Sequence, residues 1–347
     1  MADRSSLIAQ GWALLLGAAC GYAAFAAGMP LPWMLGPMVG TTIAALFSAP
    51  IRGPEKLRPF VIPVIGVLLG SSVTAEILAS ALGWWPSLLV LIPFLVCAAV
   101  VSFHFYRRVA GYDPVTAYFC AMPGGLNDML ILGGAAGGQE TRIALAHASR
   151  ILIVVTFVVI FYSVALGVTA TGRSAGWVRL DVLSWRDWLI LGGCAILGAR
   201  LGKIARLPAP QIVGPMILSG AAHVAALVTV PPPTLAVIVA QIVVGTVVGC
   251  RFVGSTARQV GRDILFAAIS TALMIAVAVV FAFGLSAWTD IPVSQTFLGY
   301  SPGGLTEMSL LALAMEQDVT YVSALHIIRI TMVIMAAAPI FALLRRR

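Results

Sequence analysis

Charge is scarce in this sequence. Only 10% of its 347 residues are Asp, Glu, Lys or Arg, against about 25% in a typical soluble domain. A soluble chain of this size would have to bury nearly every helix on all sides, which it cannot arrange. The familiar signatures of catalysis are missing too. There is no P-loop, no dinucleotide fingerprint and no nucleophile elbow. The four histidines show no metal-ligand spacing, which excludes a His-rich metal centre from the reading. Cysteine is sparse, and none of Cys20, Cys97, Cys120, Cys194 and Cys250 forms a CxxC pair. They read as small core residues rather than disulfide partners or zinc ligands. No stretch outside the apolar runs is long enough to fold as a DNA-binding domain, so the formal charge of +8 does not imply nucleic acid. The sequence thus describes no enzyme and requires no cofactor.

What fills the chain is hydrophobic residue, 60% of the total, with a mean hydropathy of +1.01. Long apolar runs recur from Leu7 to Leu343. Many reach the roughly 17–25 residues needed to cross a hydrocarbon core. They are continuously apolar, as in Leu88 to Val101 and Ile264 to Phe283. Strands of a transmembrane barrel would alternate instead. The expected fold is therefore an all-α polytopic membrane protein of the inner-membrane type, with lipid as its main partner. The first run, about Leu7 to Ala27, reads as an uncleaved helix rather than a signal peptide.

The chain repeats itself. Pro123-Gly124-Gly125-Leu126-Asn127-Asp128-Met129 returns 179 positions later as Pro302-Gly303-Gly304-Leu305-Thr306-Glu307-Met308. Each copy is followed by a His-x-x-Arg pair, His147 with Arg150 and His326 with Arg329. Upstream, Pro32-Trp33-Met34-Leu35-Gly36-Pro37-Met38 matches Pro210-Gln211-Ile212-Val213-Gly214-Pro215-Met216, and Gly66 and Gly70 match Gly245 and Gly249. A self-similarity of this order governs the fold. It divides the chain into a first repeat, 1–169, a linker, 170–187, and a second repeat, 188–347. Pro-Gly-Gly stops a helix at membrane depth, which is tolerated only against protein or a wet cavity. Each repeat is accordingly expected to hold about five crossings and one re-entrant or broken segment, about ten crossings and two broken segments in all.

The basic residues choose the orientation. With a cytoplasmic amino terminus and broken segments that do not cross, Arg52, Lys56, Arg58, Arg107, Arg108, Arg200, Lys203, Arg206, Arg251, Arg258, Arg262 and the Arg345–Arg347 tail all fall inside. Arg173, Arg179 and Arg186 fall outside, partly offset by Asp181 and Asp187. Six crossings per repeat would put Arg251 to Arg262 outside. The charges therefore favour two repeats of inverted topology.

The candidate binding residues are Gly124, Gly125, Asn127, Asp128, His147 and Arg150, with Gly303, Gly304, Thr306, Glu307, His326 and Arg329 in the second repeat. A lone carboxylate in hydrocarbon costs roughly 2.5–3.5 kcal/mol on insertion scales. Asp128 and Glu307 therefore either handle a coupling cation together with free carbonyls of the break, or cap their own helix starts near Leu126-Asn127 and Leu305-Thr306. Arg150 and Arg329 either snorkel near a surface or bind an anion, with a titratable His three residues away. Pairing of Asp128 with Arg150 or Arg329 would relieve the desolvation of both.

The paired Pro-x-x-x-Gly-Pro-Met openings and the paired Pro-Gly-Gly-Leu-x-(Asp/Glu)-Met segments resemble those of the bacterial membrane AbrB-duplication family, over essentially all of the chain. Members carry labels of ammonia monooxygenase or AbrB-family regulator. The resemblance implies a multi-pass protein of the bacterial inner membrane and an indirect effect on gene expression. The residues themselves point to a secondary transporter of a small, anionic solute coupled to protons or sodium. A membrane sensor that binds without moving its ligand is the alternative. A membrane oxygenase is disfavoured, because clustered histidines or carboxylates are lacking. Bulk hydrophobicity does not mark an oligomer interface, and a homodimer is compatible with the sequence.

Overall fold

A computed structural model describes residues 4–29, 31–165, 177–207, 209–254 and 257–345. The expected linker is described only from Trp177 onward, and Arg173, the end of the first repeat after Ala165, and Arg346 and Arg347 lie outside the described residues. So do the side chains of Asn127, Arg258 and Arg345.

Among the described residues the regular structure is all helix. In chain order it is α1 (Arg4–Ala26), α2 (Pro32–Leu46), α3 (Arg58–Ser71), α4 (Ala75–Ser80), α5 (Trp85–His104), α6 (Pro114–Ala121), α7 (Leu126–Ala135), α8 (Glu140–Ala165), α9 (Trp185–Ile204), α10 (Pro210–Val224), α11 (Thr234–Gly249), α12 (Ala257–Trp288), α13 (Val293–Tyr300), α14 (Leu305–Ala314) and α15 (Val319–Arg345). A π-turn over Phe105–Val109 follows α5. Six helical stretches are long and apolar enough to cross a membrane: Ser6–Ala26, Ala81–Val109, Glu140–Val158, Thr234–Phe252, Gly261–Trp288 and Val319–Leu343. The chain is an all-α, multi-pass membrane protein. Ten crossings would require four more: α9, of 20 residues, and α2, α3 and α10, of 15, 14 and 15. At 1.5 Å per residue the last three reach only about 22 Å, short of a core of about 30 Å.

The helices gather into two compact units, and each takes segments from both sequence repeats. One comprises residues 1–81, 162–257 and 309–320; the other comprises 82–161, 258–308 and 321–347.

The first unit is built on glycine. A Cβ on Gly66 or Gly70 of α3 would overlap the backbone carbonyls of Ile212 and Met216 in α10. A Cβ on Gly245 or Gly249 of α11 would overlap those of Met34 and Met38 in α2. These are corresponding contacts, because Met34 and Met38 match Ile212 and Met216. Within each repeat the pattern recurs: Gly36 of α2 meets the carbonyl of Cys20 in α1, and Gly214 of α10 meets that of Gly198 in α9. Lipid tails are as apolar as leucine, so helices associate through close van der Waals contact, which small residues permit.

The second unit holds the breaks. Here α5 and α12 are antiparallel, since Trp85, Phe94 and Ser102 meet Trp288, Phe281 and Ser270 in reversed order. The short helix α6 packs on α15 through Tyr118 and Phe341, whose rings are 5.3 Å apart. Its counterpart α13 packs on α8 through Phe297 and Phe161, 4.9 Å apart. Each broken segment thus leans on the final helix of the other repeat.

Two arginine-clamped breaks as the candidate functional site

The site begins where α6 and α13 stop. Pro123 and Pro302 lack an N–H and push the preceding residue out of the helical region. Met122 and Ser301 duly adopt extended backbone, with ψ of 129° and 134°. The helices restart at Leu126 and Leu305. Between them carbonyls are stranded outside any helix, and an unsatisfied buried group is costly.

Arginine resolves this, in the same way twice. Arg150 of α8 donates from Nη1 to the Met122 carbonyl at 2.9 Å and from Nη2 to the Gly124 carbonyl at 2.7 Å. Arg329 of α15 donates from Nη1 to Ser301 and from Nη2 to Gly303, both at 2.6 Å. The planar fork of a guanidinium fits two carbonyls one residue apart from a shared stem, which a lysine ammonium cannot match. Both arginines are less than a tenth exposed, so neither snorkels to a surface. Asp128 is not in an ion pair among the described residues, and Arg150 donates to the break instead. The coupling cation that the sequence offered to these carbonyls meets a guanidinium already in place.

The carboxylates sit at the opposite lip of each break. Asp128 is the third residue of α7, whose N-cap is Gly125 rather than Leu126 or Asn127. One of its oxygens lies so close to Gly125 that a Cβ there would stand 2.5 Å away. Glu307 folds back on Gly304 in the same manner. A carboxylate over the first turn complements the helix dipole. Asp128 is half-buried, whereas Thr306 and Glu307 are buried.

The two histidines are fully buried. His147 bonds through Nε2 to the Phe119 carbonyl at 2.9 Å, and His326 through Nδ1 to the Val322 carbonyl at 2.9 Å. Gly124 lies against Val333 of α15, one turn beyond Arg329. The structure therefore gathers Gly124, Gly125, Asp128, His147 and Arg150 around one break, and Gly303, Gly304, Glu307 and Arg329 around the other, with His326 one helical turn before Arg329. Among the described residues, no three His, Cys, Asp or Glu side chains meet as metal ligands would.

One constellation escaped the sequence. Asp263 of α12 receives the Tyr112 hydroxyl at 2.8 Å and pairs with Arg142 Nε of α8 at 3.4 Å. The Arg142 guanidinium lies over the Tyr112 ring, 4.6 Å from its centroid, and Arg107 donates to the Tyr112 carbonyl at 3.0 Å. The Tyr112 ring also packs against Phe266, with centroids 6.2 Å apart. By the 179-residue offset, Arg142, Asp263 and Phe266 correspond to Tyr321, Trp84 and Ser87. Those three also meet: Trp84 and Tyr321 pack edge to face at 5.4 Å, and the Tyr321 hydroxyl donates to Ser87 Oγ at 2.8 Å. Positions are equivalent but chemistry is not, so a search for repeated residue types passes over both clusters.

Outside the membrane spans, Asp113 caps α6, accepting from the Thr116 N–H at 2.9 Å. Burial raises its carboxyl, but the hydrogen bonds from the helix start outweigh burial and hold it below its ordinary value.

A pair of proline-broken helices, each clamped by a buried arginine from a long apolar helix, defines a class of intramembrane site rather than a soluble regulator's fold. The family model described as "Transition state regulatory protein AbrB" matches residues 33–345, and the chain belongs to that family. A Bacillus subtilis (strain 168) protein named YhjN is 26% identical over 99% of this chain and 95% of its own length. An Escherichia coli (strain K12) protein, named as a candidate regulator, AbrB, is 22% identical over 90% of this chain and 89% of its own.

Proposed function

We propose that this protein is a secondary transporter of a small anionic solute in the bacterial inner membrane, coupled to protons or sodium, and not an enzyme. The observation that carries the reading is the duplicated clamp: two buried guanidiniums, held at equivalent positions on two broken segments. A structural break needs its carbonyls satisfied, and the arginines do that. Two permanently charged groups at such depth also favour an anion there. Asp128 and Glu307, at the first turns of α7 and α14, take the coupling cation, and the Pro-Gly-Gly breaks let backbone approach the solute. The antiparallel contact of α5 with α12 supports inverted repeats, since equivalent helices of parallel repeats would run the same way. Inverted repeats supply the two alternative arrangements that alternating access requires.

Asp128→Asn tests the coupling role. The variant keeps the hydrogen-bonding shape of the carboxylate but cannot carry a proton or hold a sodium ion. Reconstituted, it is expected to fold and to lose gradient-driven accumulation of the solute while retaining exchange. Full accumulation by a folded variant would refute the role.

A second reading is a membrane sensor that binds the same solute and alters gene expression indirectly. The regulator names of the matched family and of the Escherichia coli relative favour it. Saturable binding in nanodiscs without flux in proteoliposomes would select it.

A further inference from the structure

Among the described residues, five of the nine buried side-chain polar atoms without a hydrogen-bond partner belong to clamp residues: Arg150 Nε, Arg329 Nε, His147 Nδ1, His326 Nε2 and Ser301 Oγ. An unmade buried hydrogen bond is costly, so a group of them calls for an explanation. The two clamps lie close together, since Gly124, whose carbonyl Arg150 holds, packs against Val333, one turn beyond Arg329. Like charges at low local dielectric repel, and a shared anion relieves that repulsion.

The character of the unpartnered atoms narrows the anion. A carbonyl only accepts, so Phe119 fixes the proton of His147 on Nε2 and leaves Nδ1 as a bare acceptor. His326 faces the carbonyls of both Val322 and Ser301, so it offers no comparable acceptor. The set therefore offers two charged N–H donors, one hydroxyl and one acceptor, His147 Nδ1. A halide or nitrate could satisfy the donors and nothing else. A plain carboxylate has the same shortfall.

We infer that this site binds a small hydroxycarboxylate, with its carboxylate on Nε of Arg150 and Arg329 and its hydroxyl donating to an imidazole nitrogen. The inference deepens the transport reading and rests on it only in taking the clamps as the solute site. Because the arginines are buried, the ligand enters only when the surrounding helices part.

The test is calorimetric binding to the full chain in lipid nanodiscs, with glycolate, acetate and nitrate as probes. Glycolate is expected to bind saturably, acetate at least about tenfold more weakly, and nitrate not measurably, since one lost hydrogen bond in a site built for it is worth that factor or more. His147→Phe keeps a ring and removes the Nδ1 acceptor together with the Nε2 donor. In protein that elutes as folded it should shrink the preference for glycolate over acetate. Equal affinity for glycolate and acetate, or no glycolate binding by folded protein, would overturn the inference. Glycolate binding without flux in proteoliposomes would leave it standing and remove the transport reading. Flux of another solute with no glycolate binding would do the reverse.

Discussion

At the scale of single residues, the account turns on what a guanidinium can do that no other side chain can. Each of Arg150 and Arg329 satisfies two carbonyls that the proline break strands. Replacing either by Met leaves two buried acceptors unpaired. The expected cost is about 2–5 kcal/mol per site, read as a loss of thermal stability in nanodiscs, and similar for both sites because the geometry is the same. A large effect at one and none at the other would contradict the shared role. Replacement by Lys keeps the charge but not the fork, and should recover only part of the stability. Asp113 gives a pH-dependent counterpart. Its folded-state carboxyl lies below the unfolded value, so its contribution is present above about pH 4 and is lost as pH falls through the folded value. Asp113→Ala should cost about 1 kcal/mol at neutral pH. The gap in melting temperature between it and the parent should close on acidification. A gap that widened in acid would reverse the sign of the argument.

At the scale of elements, the duplication is written in backbone as well as in side chains. Residues with left-handed backbone recur at equivalent positions: Leu31 with Ala209, Ser48 with Ala226, Gly28 with Arg206, and Gly137 with Glu316. The first two pairs bracket α2 and α10, which therefore enter and leave along the same path. Glu316 adopts a φ of 54° where its counterpart is glycine, a conformation that costs a side-chain-bearing residue roughly 1–2 kcal/mol. Part of that gain is offset by the freedom glycine has in the unfolded chain. Glu316→Gly should therefore stabilise the protein by about 0.5–1 kcal/mol, measured as a rise in thermal midpoint. The glycine contacts make the opposite prediction. Gly70→Val and Gly249→Val each drive a side chain into a backbone carbonyl of the facing helix. Both should cost well over the 1–3 kcal/mol of ordinary overpacking and abolish recovery of folded protein. Normal yields of either would show that the helices do not approach so closely.

At the scale of the whole molecule, the sequence disclosed the class, the helices and the places where helices break. The clamp residues were legible because both copies keep the same types. The bonds they make were not. Asp128 looked the natural partner for Arg150, since a carboxylate and a guanidinium are both expensive alone, but the stranded carbonyls of Met122 and Gly124 are a competing need that only the fold reveals. The cluster around Asp263 and Arg142 stayed hidden because the residues at the equivalent positions, Trp84 and Tyr321, use aromatic and hydroxyl groups instead of charge. One cluster is thus held by an ion pair and the other by ring packing. Salt should weaken the first more than the second. The membership of each compact unit was likewise beyond the sequence, because packing follows facing glycines and aromatic pairs rather than chain order.

The central claim is that the two clamped breaks form one solute site from which a small anion is carried across the membrane. Uptake of radiolabelled small organic anions into proteoliposomes under imposed proton and sodium gradients tests it most directly. The account predicts saturable, gradient-driven uptake of at least one anion by the parent protein. It also predicts that the uptake is lost in the Arg150→Lys, Arg329→Lys double variant when that variant elutes as folded protein. No uptake of any anion by folded parent protein, or the same uptake in both, would contradict it.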